Sequence, residues 1–349
     1  TPIILNDVLW HKSGHWDNFK ENMYFTTIDE QSYAVKPMNC PGGLLIFKEN
    51  LHSYRELPIK NAEMGLVHRH ELSGVLHGLF RARSFTQDDA HVFCTPEQMP
   101  DEIRKIIEYT VEVYRDFGYE DISVFIATRP ERSIGSDEAW EAATEGLKKA
   151  LADVRMAYRI KEGEGAFYGP KIEFNIKDCL GRNWQCGTIQ VDFSMPERFG
   201  AVYRGADGKD HTPVMIHRAI FGSLERFIGV TIEHFAGKFP FWLAPLKAAV
   251  LSISDKTAPY AEKVADRLAA AGFRVEKMLS GESLGNKIRL ARNRRFPYIL
   301  VIGEQEQQNA TVSFKTYNDE NGSAVPLERF VQGLQALQAG RGRALTVDF

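Results

Sequence analysis

Hydrophobic residues recur at helical spacing in two segments of the first half of the chain. Residues 103–117 carry Ile, Val, Tyr and Phe at steps of three and four, which predicts a surface helix. Residues 137–151 repeat this pattern, and Ser136 stands where a helix N-cap is expected. From Ile216 to Gly237 the apolar positions favour one further, longer helix.

Strict alternation of polar and apolar residues follows in two neighbouring segments. Residues 171–177 alternate, and residues 185–193 alternate again after a polar turn. Alternation with a period of two is typical of strands that bury one face. We therefore predict an antiparallel pair with one face in a core or a cleft.

The pattern changes after residues 237–245, which are rich in proline and aromatic residues. We predict a domain boundary there, with domains at residues 1–240 and 241–349. Beyond it the sequence predicts strands at 248–253, 273–278, 298–302 and 311–315, and helices at 259–271, 284–292 and 327–337. Alternating strands and helices of this length imply a small α/β domain with parallel pairing.

Composition excludes several classes of protein. The chain has 349 residues, a net charge of −3, 44% hydrophobic and 26% charged residues, as expected for two globular domains. Its longest apolar stretch, residues 239–250, is too short to span a bilayer and contains Lys247. Four scattered cysteines and no signal-peptide pattern favour a reducing, cytoplasmic location. Because the chain begins at Thr1 rather than Met, we expect it to be a fragment of a longer protein.

Three candidate metal ligands stand in specific surroundings, although no short metal-binding motif is present. They are Cys40, His91 and His217. Their ordinary interpretation is that of buried core residues. Three ligands would, however, leave open coordination positions, as a zinc ion that engages a substrate requires.

Two groups of arginines suggest binding of an anion. Arg69 and Glu71 precede Arg81, and Arg226 follows Gly222 by four residues. Arginines held by acids can grip a polyphosphate, but surface ion pairs are the alternative. Five cations at 287–295 indicate either a polyanion-binding surface or a solvated basic helix face.

Together these pieces resemble a known family. Arg69-x-Glu71 and Gly222-x-x-x-Arg226 resemble motifs 2 and 3 of class II aminoacyl-tRNA synthetases. The flanking segments narrow the resemblance to threonyl-tRNA synthetases: Gly14–Asp17, Lys36–Gly42, Phe85–His91, Gly163–Lys171, Gln185–Gly187 and Met215–Arg218. The resemblance covers essentially the whole chain.

The resemblance implies a fold and an activity. The fold is an α+β catalytic domain, with an antiparallel sheet flanked by helices, followed by a smaller α/β anticodon-binding domain. The activity is ATP-dependent ligation of threonine to threonine tRNA through threonyl-adenylate, with one zinc ion per chain, Mg²⁺ with ATP, and a homodimer. No membrane partner is expected.

The resemblance also implies residue roles. Zinc would be held by Cys40, His91 and His217. Threonine would be bound by Met38, Gln87, Asp89, Tyr168 and Gln185. ATP would be bound by Arg69, Glu71, Arg81, Gln185, Gln190, Ser223 and Arg226. The catalytic residues would be Arg69, Arg226, Lys171 and, at the tRNA end, His15. Anticodon contacts would come from Arg289, Glu306 and Lys315.

Some positions depart from the family pattern. Gly43 replaces a histidine, Lys315 replaces an arginine, and Ser280–Gly285 differs from the usual segment. Lys cannot reproduce a bidentate guanidinium contact, so anticodon reading is expected to change. These departures leave an alternative open, a synthetase-like paralogue that acts as an inhibitor-resistant duplicate or as an RNA-binding regulator. A metal-dependent hydrolase is a third hypothesis.

Overall fold

The computed structural model describes residues 1–279, 281–318 and 320–342. Ser280, the first residue of the segment that departs from the family, lies outside them. The chain forms two compact units, Thr1–Thr231 and Ile232–Phe349. The predicted domain boundary between residues 240 and 241 remains a prediction. Among the described residues, no helix is both long enough and apolar enough to cross a membrane.

The first unit is built from strands and helices that alternate irregularly. Its strands are β1 Ile4–Asn6, β2 Tyr24–Ile28, β3 Gln31–Val35, β4 His52–Ser53, β5 Ile59–His68, β6 Ser84–Cys94, β7 Ser123–Ala127, β8 Arg159–Lys161, β9 Lys171–Lys177, β10 Asn183–Asp192, β11 Tyr203–Arg204, β12 Asp210–His211 and β13 Val214–Ser223. Its helices are α1 Asp7–Ser13, α2 His15–Phe19, α3 Cys40–Lys48, α4 Met99–Asp116, α5 Asp137–Asp153, α6 Ser194–Phe199 and α7 Leu224–His234, of which the last three residues fall in the second unit.

The main sheet of this unit has the strand order β5-β6-β13-β10-β9-β7-β8. All neighbouring strands are antiparallel except the pair β7 and β8. The predicted strand pair is confirmed as β9 and β10. The two predicted helices are confirmed as α4 and α5, and Ser136 accepts a hydrogen bond from the Ala139 N–H at the start of α5.

One face of the main sheet forms the hydrophobic core. Side chains of α4 and α5 such as Ile107, Tyr114 and Leu147 are buried against Phe174 and Ile189 of the sheet. On β9 and β10 these core residues alternate with polar residues of the opposite face. That opposite face is therefore free to form a site.

The prediction of a helix from Ile216 to Gly237 is wrong for residues 216–223. Residues 214–223 form strand β13, and the helix α7 begins only at Leu224. Strand β13 lies between β6 and β10, and most of its residues are buried: Ile216 and Ile220 lie in the main hydrophobic core, and Met215 lies in a second apolar cluster. A short apolar run of this kind has no period that separates strand from helix. His217 accordingly lies in the middle of a strand rather than at the start of a helix.

The second unit has a smaller sheet within the described residues. Its strands are β14 Ala248–Ser252, β15 Val275–Met278, β16 Tyr298–Ile302, β17 Thr311–Thr316 and β18 Asn321–Pro326. Its helices are α8 Ala258–Ala270, α9 Leu284–Asn293, α10 Glu304–Asn309 and α11 Leu327–Gly340. The strand order is β15-β14-β16-β17-β18, with parallel pairing of β14 to β15 and β16. This confirms the predicted α/β fold, although α10 and β18 were not predicted.

We expect the Y114F substitution to lower the free energy of unfolding by about 1–3 kcal/mol. The buried Tyr114 hydroxyl donates to the Ile220 carbonyl and accepts from the Gly187 N–H, each at 2.7 Å. Its loss leaves two buried backbone groups of β13 and β10 without a partner. Urea unfolding measures the change, with Y109F as control because Tyr109 is exposed. Equal stability of Y114F and Y109F would contradict this account.

Candidate active site

A cleft of about 470 Å³ lies on the polar face of the main sheet. Its lining includes the predicted catalytic residue Lys171 and every residue predicted to bind zinc, threonine or ATP: Met38, Cys40, Arg69, Glu71, Arg81, Gln87, Asp89, His91, Tyr168, Lys171, Gln185, Gln190, His217, Ser223 and Arg226. These residues are spread over 189 positions of sequence, from 38 to 226. The tertiary fold therefore gathers them into one cavity.

The three candidate metal ligands meet at one point of this cleft. Cys40 is the first residue of α3, and His91 on β6 pairs directly across from His217 on β13. All three side chains are buried, and their donor atoms lie within 4.8 Å of one another. One sulfur and two imidazole nitrogens are a donor set that Zn²⁺ prefers, and three protein ligands leave a position open.

The environment of these ligands fits a metal ion. Burial lowers the pKa of His91 to about 4, so its ring is neutral and has a free lone pair. The His91 Nε2 atom is buried without a hydrogen-bond partner among the described atoms. Asp192 holds the other imidazole, with its Oδ2 atom 3.2 Å from His217 Nε2. A carboxylate behind a metal-binding histidine fixes the orientation of its ring.

The polar groups next to these ligands are also held in place. The Asn39 side-chain amide donates to Asp89 Oδ2 at 2.9 Å, and Asp89 Oδ1 lies 3.6 Å from His91 Nε2. The Tyr168 hydroxyl donates to the side-chain carbonyl of Gln190. The Tyr168 ring stacks on His217 at a centroid distance of 4.7 Å.

Two arginines of the cleft are fixed by backbone carbonyls and rings rather than by buried acids. Arg69 donates from Nε to the Pro37 carbonyl at 3.2 Å, and its guanidinium lies over the Phe85 ring at 5.2 Å. Arg226 donates to the carbonyls of Phe80 and Gln185, each at 2.8 Å. Because carbonyls do not cancel the positive charge, both guanidinium groups keep it available for an anion.

A different arrangement surrounds Arg81 and Lys171. Arg81 forms an ion pair with Glu71, with nitrogen-to-oxygen distances of 3.0 and 3.1 Å. The Lys171 Nζ atom lies 2.8 Å from the buried Glu173 carboxylate, whose other oxygen is 2.6 Å from Lys161. The Glu173 carboxylate thus lies between two lysines, and Lys161 also lies 3.8 Å from the Glu164 carboxylate.

The end of β13 is shaped by an irregularity that sequence analysis did not identify. The Asp88 carboxylate accepts the N–H groups of Ile220, Phe221 and Gly222 at 2.8, 3.0 and 2.9 Å. The strand register shifts between Ala219 and Ser223 at this point. Gly222 has a φ of +72°, and a Cβ atom there would lie 2.3 Å from the Cys186 carbonyl oxygen. The irregularity leads the chain into α7, which carries Arg226.

His15 is the one predicted catalytic residue that the structure does not bring to the cleft surface. It is fully buried, with Nδ1 2.8 Å from Ser13 Oγ and Nε2 3.2 Å from Met38 Sδ. Burial lowers its pKa to about 3, and the charges of His217 and Arg69 add to this effect. Met38 lines the cleft in front of it. A direct role for His15 toward tRNA stays a prediction.

The predicted anticodon residues lie on three elements of the second unit. Arg289 on α9 is exposed and donates to Asn286 Oδ1 at 2.7 Å. Glu306 on α10 accepts from the Gly303 N–H and from the Ser313 hydroxyl. Lys315 on β17 is exposed. Their contacts with an anticodon stay predictions.

Several residues of the site were missed because their role depends on a partner far along the chain. Asn39, Asp88 and Asp192 orient other side chains or backbone, and Arg132 and Arg218 line the cleft. Three of them lie in the motif segments, Asn39 in 36–42, Asp88 in 85–91 and Arg218 in 215–218, where no role had been assigned to them. No periodicity or spacing marks the others.

Comparisons with known proteins identify a family for each part of the chain. Residues 24–235 match the tRNA synthetase class II core domain (G, H, P, S and T), and residues 247–337 match the anticodon binding domain. The chain therefore belongs to the class II tRNA synthetases. Gly43, Ser223 and the metal-ligand residues lie inside the first match.

The similarity to individual proteins narrows the class. The threonine–tRNA ligases of Clostridium acetobutylicum and Clostridium tetani are both 55% identical to this chain, over 336 and 334 residues. The matches cover 96% of this chain but 53% and 52% of those proteins, so the chain spans about half their length.

A solved structure matches over most of both chains. It is the RNA binding domain of threonyl-tRNA synthetase from Cryptosporidium parvum Iowa II, with a TM-score of 0.92 and 42% identity, covering 97% of this chain and 85% of that one. Within the class II synthetases, the chain is thus a member of the threonyl-tRNA synthetase family.

We expect acidification to reduce the stability of the protein partly through His15. An unfolded histidine takes up a proton near pH 6.5, whereas the buried ring resists protonation until about pH 3. Its contribution to the free energy of unfolding is therefore complete above pH 6.5 and decreases as the pH falls toward 3.

The H15Q substitution removes this contribution. The stability difference between the parent protein and H15Q should then shrink as the pH falls from 7.5 to 5, which urea unfolding at each pH measures. A difference that stays constant with pH would show that His15 titrates alike in the folded and unfolded chains.

Proposed function

We propose that this chain is the catalytic and anticodon-binding part of a threonine–tRNA ligase. It activates threonine with ATP as threonyl-adenylate and transfers the threonyl group to the 3′ end of threonine tRNA. The observation that carries this proposal is that one cleft holds both a Cys/His/His donor set and two charged arginines. An amino acid with a side-chain hydroxyl and a nucleotide polyphosphate can therefore lie side by side.

At the amino-acid end, Cys40, His91 and His217 would hold zinc. When bound, zinc would supply open positions for the amino and hydroxyl groups of threonine. Asp89 lies beside His91 and offers a carboxylate oxygen to the same hydroxyl. Valine has no hydroxyl, so it would leave these groups without a partner, and such a site rejects it far more strongly than an apolar pocket does. Met38, Gln87 and Tyr168 line the remaining wall.

At the nucleotide end, Arg69 binds the α-phosphate and Arg226 the γ-phosphate, with Mg²⁺ accompanying ATP. The other ATP-binding residues in this proposal are Glu71, Arg81, Gln185, Gln190 and Ser223. The contacts of Arg69 and Arg226 support this proposal. Backbone carbonyls and an aromatic ring hold the two guanidinium groups in place without neutralising their positive charge. Positive groups that are held in place before the reaction stabilise charge on a phosphoryl group most effectively.

The two ends define the first chemical step. The threonine carboxylate attacks the α-phosphorus, the bond to the β-phosphate oxygen breaks, and pyrophosphate leaves with the electron pair. Arg69 stabilises the negative charge on the α-phosphoryl oxygens, and Lys171 adds positive charge from the side of Glu173. The adenylate then passes its threonyl group to a ribose hydroxyl of tRNA, with AMP as the leaving group.

The remaining parts of the proposal concern partners. Arg289, Glu306 and Lys315 would contact the anticodon, and the chain would work as a cytoplasmic homodimer. Support for the RNA role comes from the match to the anticodon binding domain and from the cations at 287–295. Lys315 and the segment 280–285 differ from the family pattern, so the anticodons that this chain accepts should be measured directly.

Threonine-dependent exchange of pyrophosphate with ATP tests the first step. We expect exchange with threonine, little with valine and some with serine, because serine also offers an amine and a hydroxyl. Transfer to threonine tRNA is then measured separately. If folded, zinc-loaded protein catalyses no exchange, the proposed ligase activity is refuted. The hypothesis of an RNA-binding regulator would then remain. ATP or ester hydrolysis without amino acid would favour the hydrolase.

Metal analysis tests the donor set independently of activity. We expect one zinc per chain in the purified protein and loss of at least tenfold in zinc affinity for C40A, because a thiolate ligand is removed. A matched control is C186A, since Cys186 is buried and lines the cleft but lies outside the ligand group. Equal zinc retention by C40A and C186A would contradict the assignment.

The R226K substitution tests the nucleotide end. Lysine cannot span the carbonyls of Phe80 and Gln185 while presenting a planar charged group to phosphate. We expect the KM for ATP in the exchange reaction to rise by about tenfold or more, with the KM for threonine within twofold of the parent. A proportional rise in both constants would point to general disruption of the cleft.

A further inference from the structure

Asn39 is a buried polar residue for which the proposed reaction has no role so far. Only 1% of its surface is exposed, and it occupies the N-cap position of α3, directly before Cys40. An asparagine at this position normally accepts a hydrogen bond from its own helix. Here it makes no side-chain cap bond. Its amide instead donates to Asp89 Oδ2 at 2.9 Å.

Gly65 on β5 supplies the space for this amide. A Cβ atom at position 65 would lie 2.1 Å from Asn39 Nδ2 and 2.5 Å from Asn39 Cγ. Both distances are too short for any real contact, and the obstacle is a buried side chain that cannot swing into solvent. Gly65 itself does not line the cleft. Glycine is therefore required at this point by the Asn39 side chain.

The Asn39 amide determines how the Asp89 carboxylate is presented. Oδ2 of Asp89 is engaged by Asn39, while Oδ1 lies 3.6 Å from His91 Nε2 on the side of the metal ligands. The Asp89 side chain is 15% exposed, toward the cleft that it lines. A hydrogen bond from a buried donor to a carboxylate is among the strong ones. It stops the carboxylate from rotating and keeps one oxygen turned to the cleft.

We propose that Asn39 is a positioning residue for substrate selection. Its amide holds Asp89 in the orientation that accepts the substrate hydroxyl, and Gly65 provides the gap that admits the amide. This inference rests on the proposed function, because it concerns the amino acid bound in that cleft. It adds two residues, Asn39 and Gly65, neither of which lines the cleft.

Two substitutions at Asn39 separate hydrogen bonding from packing. N39D keeps the size and shape of the side chain but exchanges the donor for an acceptor, and N39A removes the group. We expect both to raise the KM for threonine and for serine about tenfold in pyrophosphate exchange. The KM for ATP and the residual exchange with valine should stay within twofold, since neither uses the hydroxyl acceptor.

The G65A substitution tests the gap. Alone, it displaces the amide and should reproduce the threonine-selective defect of N39A. In the N39A background the added methyl group occupies vacated space, so N39A/G65A should match N39A within twofold. Such non-additivity is the signature of two residues that act through one contact. N50D is the control for the Asn-to-Asp change, because Asn50 is exposed.

Zinc content and thermal unfolding are measured for every variant alongside the kinetics. N39D with parental threonine KM would overturn the proposal, as would a G65A defect that multiplies with that of N39A. Loss of zinc from the Asn39 variants would assign the residue to α3 and Cys40 instead, which also overturns it. Absence of threonine exchange in the parent protein would refute the proposed function, and the inference with it.

Discussion

The register between β6 and β13 is the constraint on which the candidate site depends. It places His91 directly opposite His217 and Asp89 opposite Ala219. A shift of one residue would turn each of these side chains to the other face of the sheet. Asp88 then ends the regular pairing by accepting three successive backbone N–H groups, and the chain leaves the sheet into α7. One pair of strands thus locates the two histidine ligands and leads into the helix that carries Arg226.

The same sheet separates a dry face from a reactive one. Ile216 and Ile220 belong to the hydrophobic core, while His217, between them in sequence, lines the cleft. Packing of α4 and α5 on the core face stabilises the strands without touching the cleft. Polar groups on the other face can then be held by one another, as Lys161 and Lys171 are by Glu173. Burying such ion pairs costs desolvation energy. They therefore add little to the stability of the fold, and their effect here is to fix the positions of the charged side chains.

Neutrality of two of the metal ligands, Cys40 and His91, is a second consequence of burial. Burial lowers the pKa of His91 to about 4 and raises the pKa of the Cys40 thiol. The histidine is thereby ready to donate a lone pair, whereas the thiol keeps its proton until a cation compensates the charge. Arg69 and Arg226 lie on the same cleft, and carbonyl groups rather than carboxylates fix both of them. The cleft therefore keeps unneutralised positive charge for phosphate.

Periodicity in the sequence was enough to predict α4, α5 and the strand pair β9 and β10, and sequence motifs marked most of the cleft residues. The sequence did not predict β13, because most residues of this strand are buried and its apolar run has no alternation that distinguishes it from a helix. Nor did it reveal Asn39, Asp88 or Gly65, whose partners lie 50, 132 to 134 and 26 residues away. Only the tertiary structure decides such contacts, since hydrogen bonding and steric fit depend on distance in space, which linear spacing does not encode.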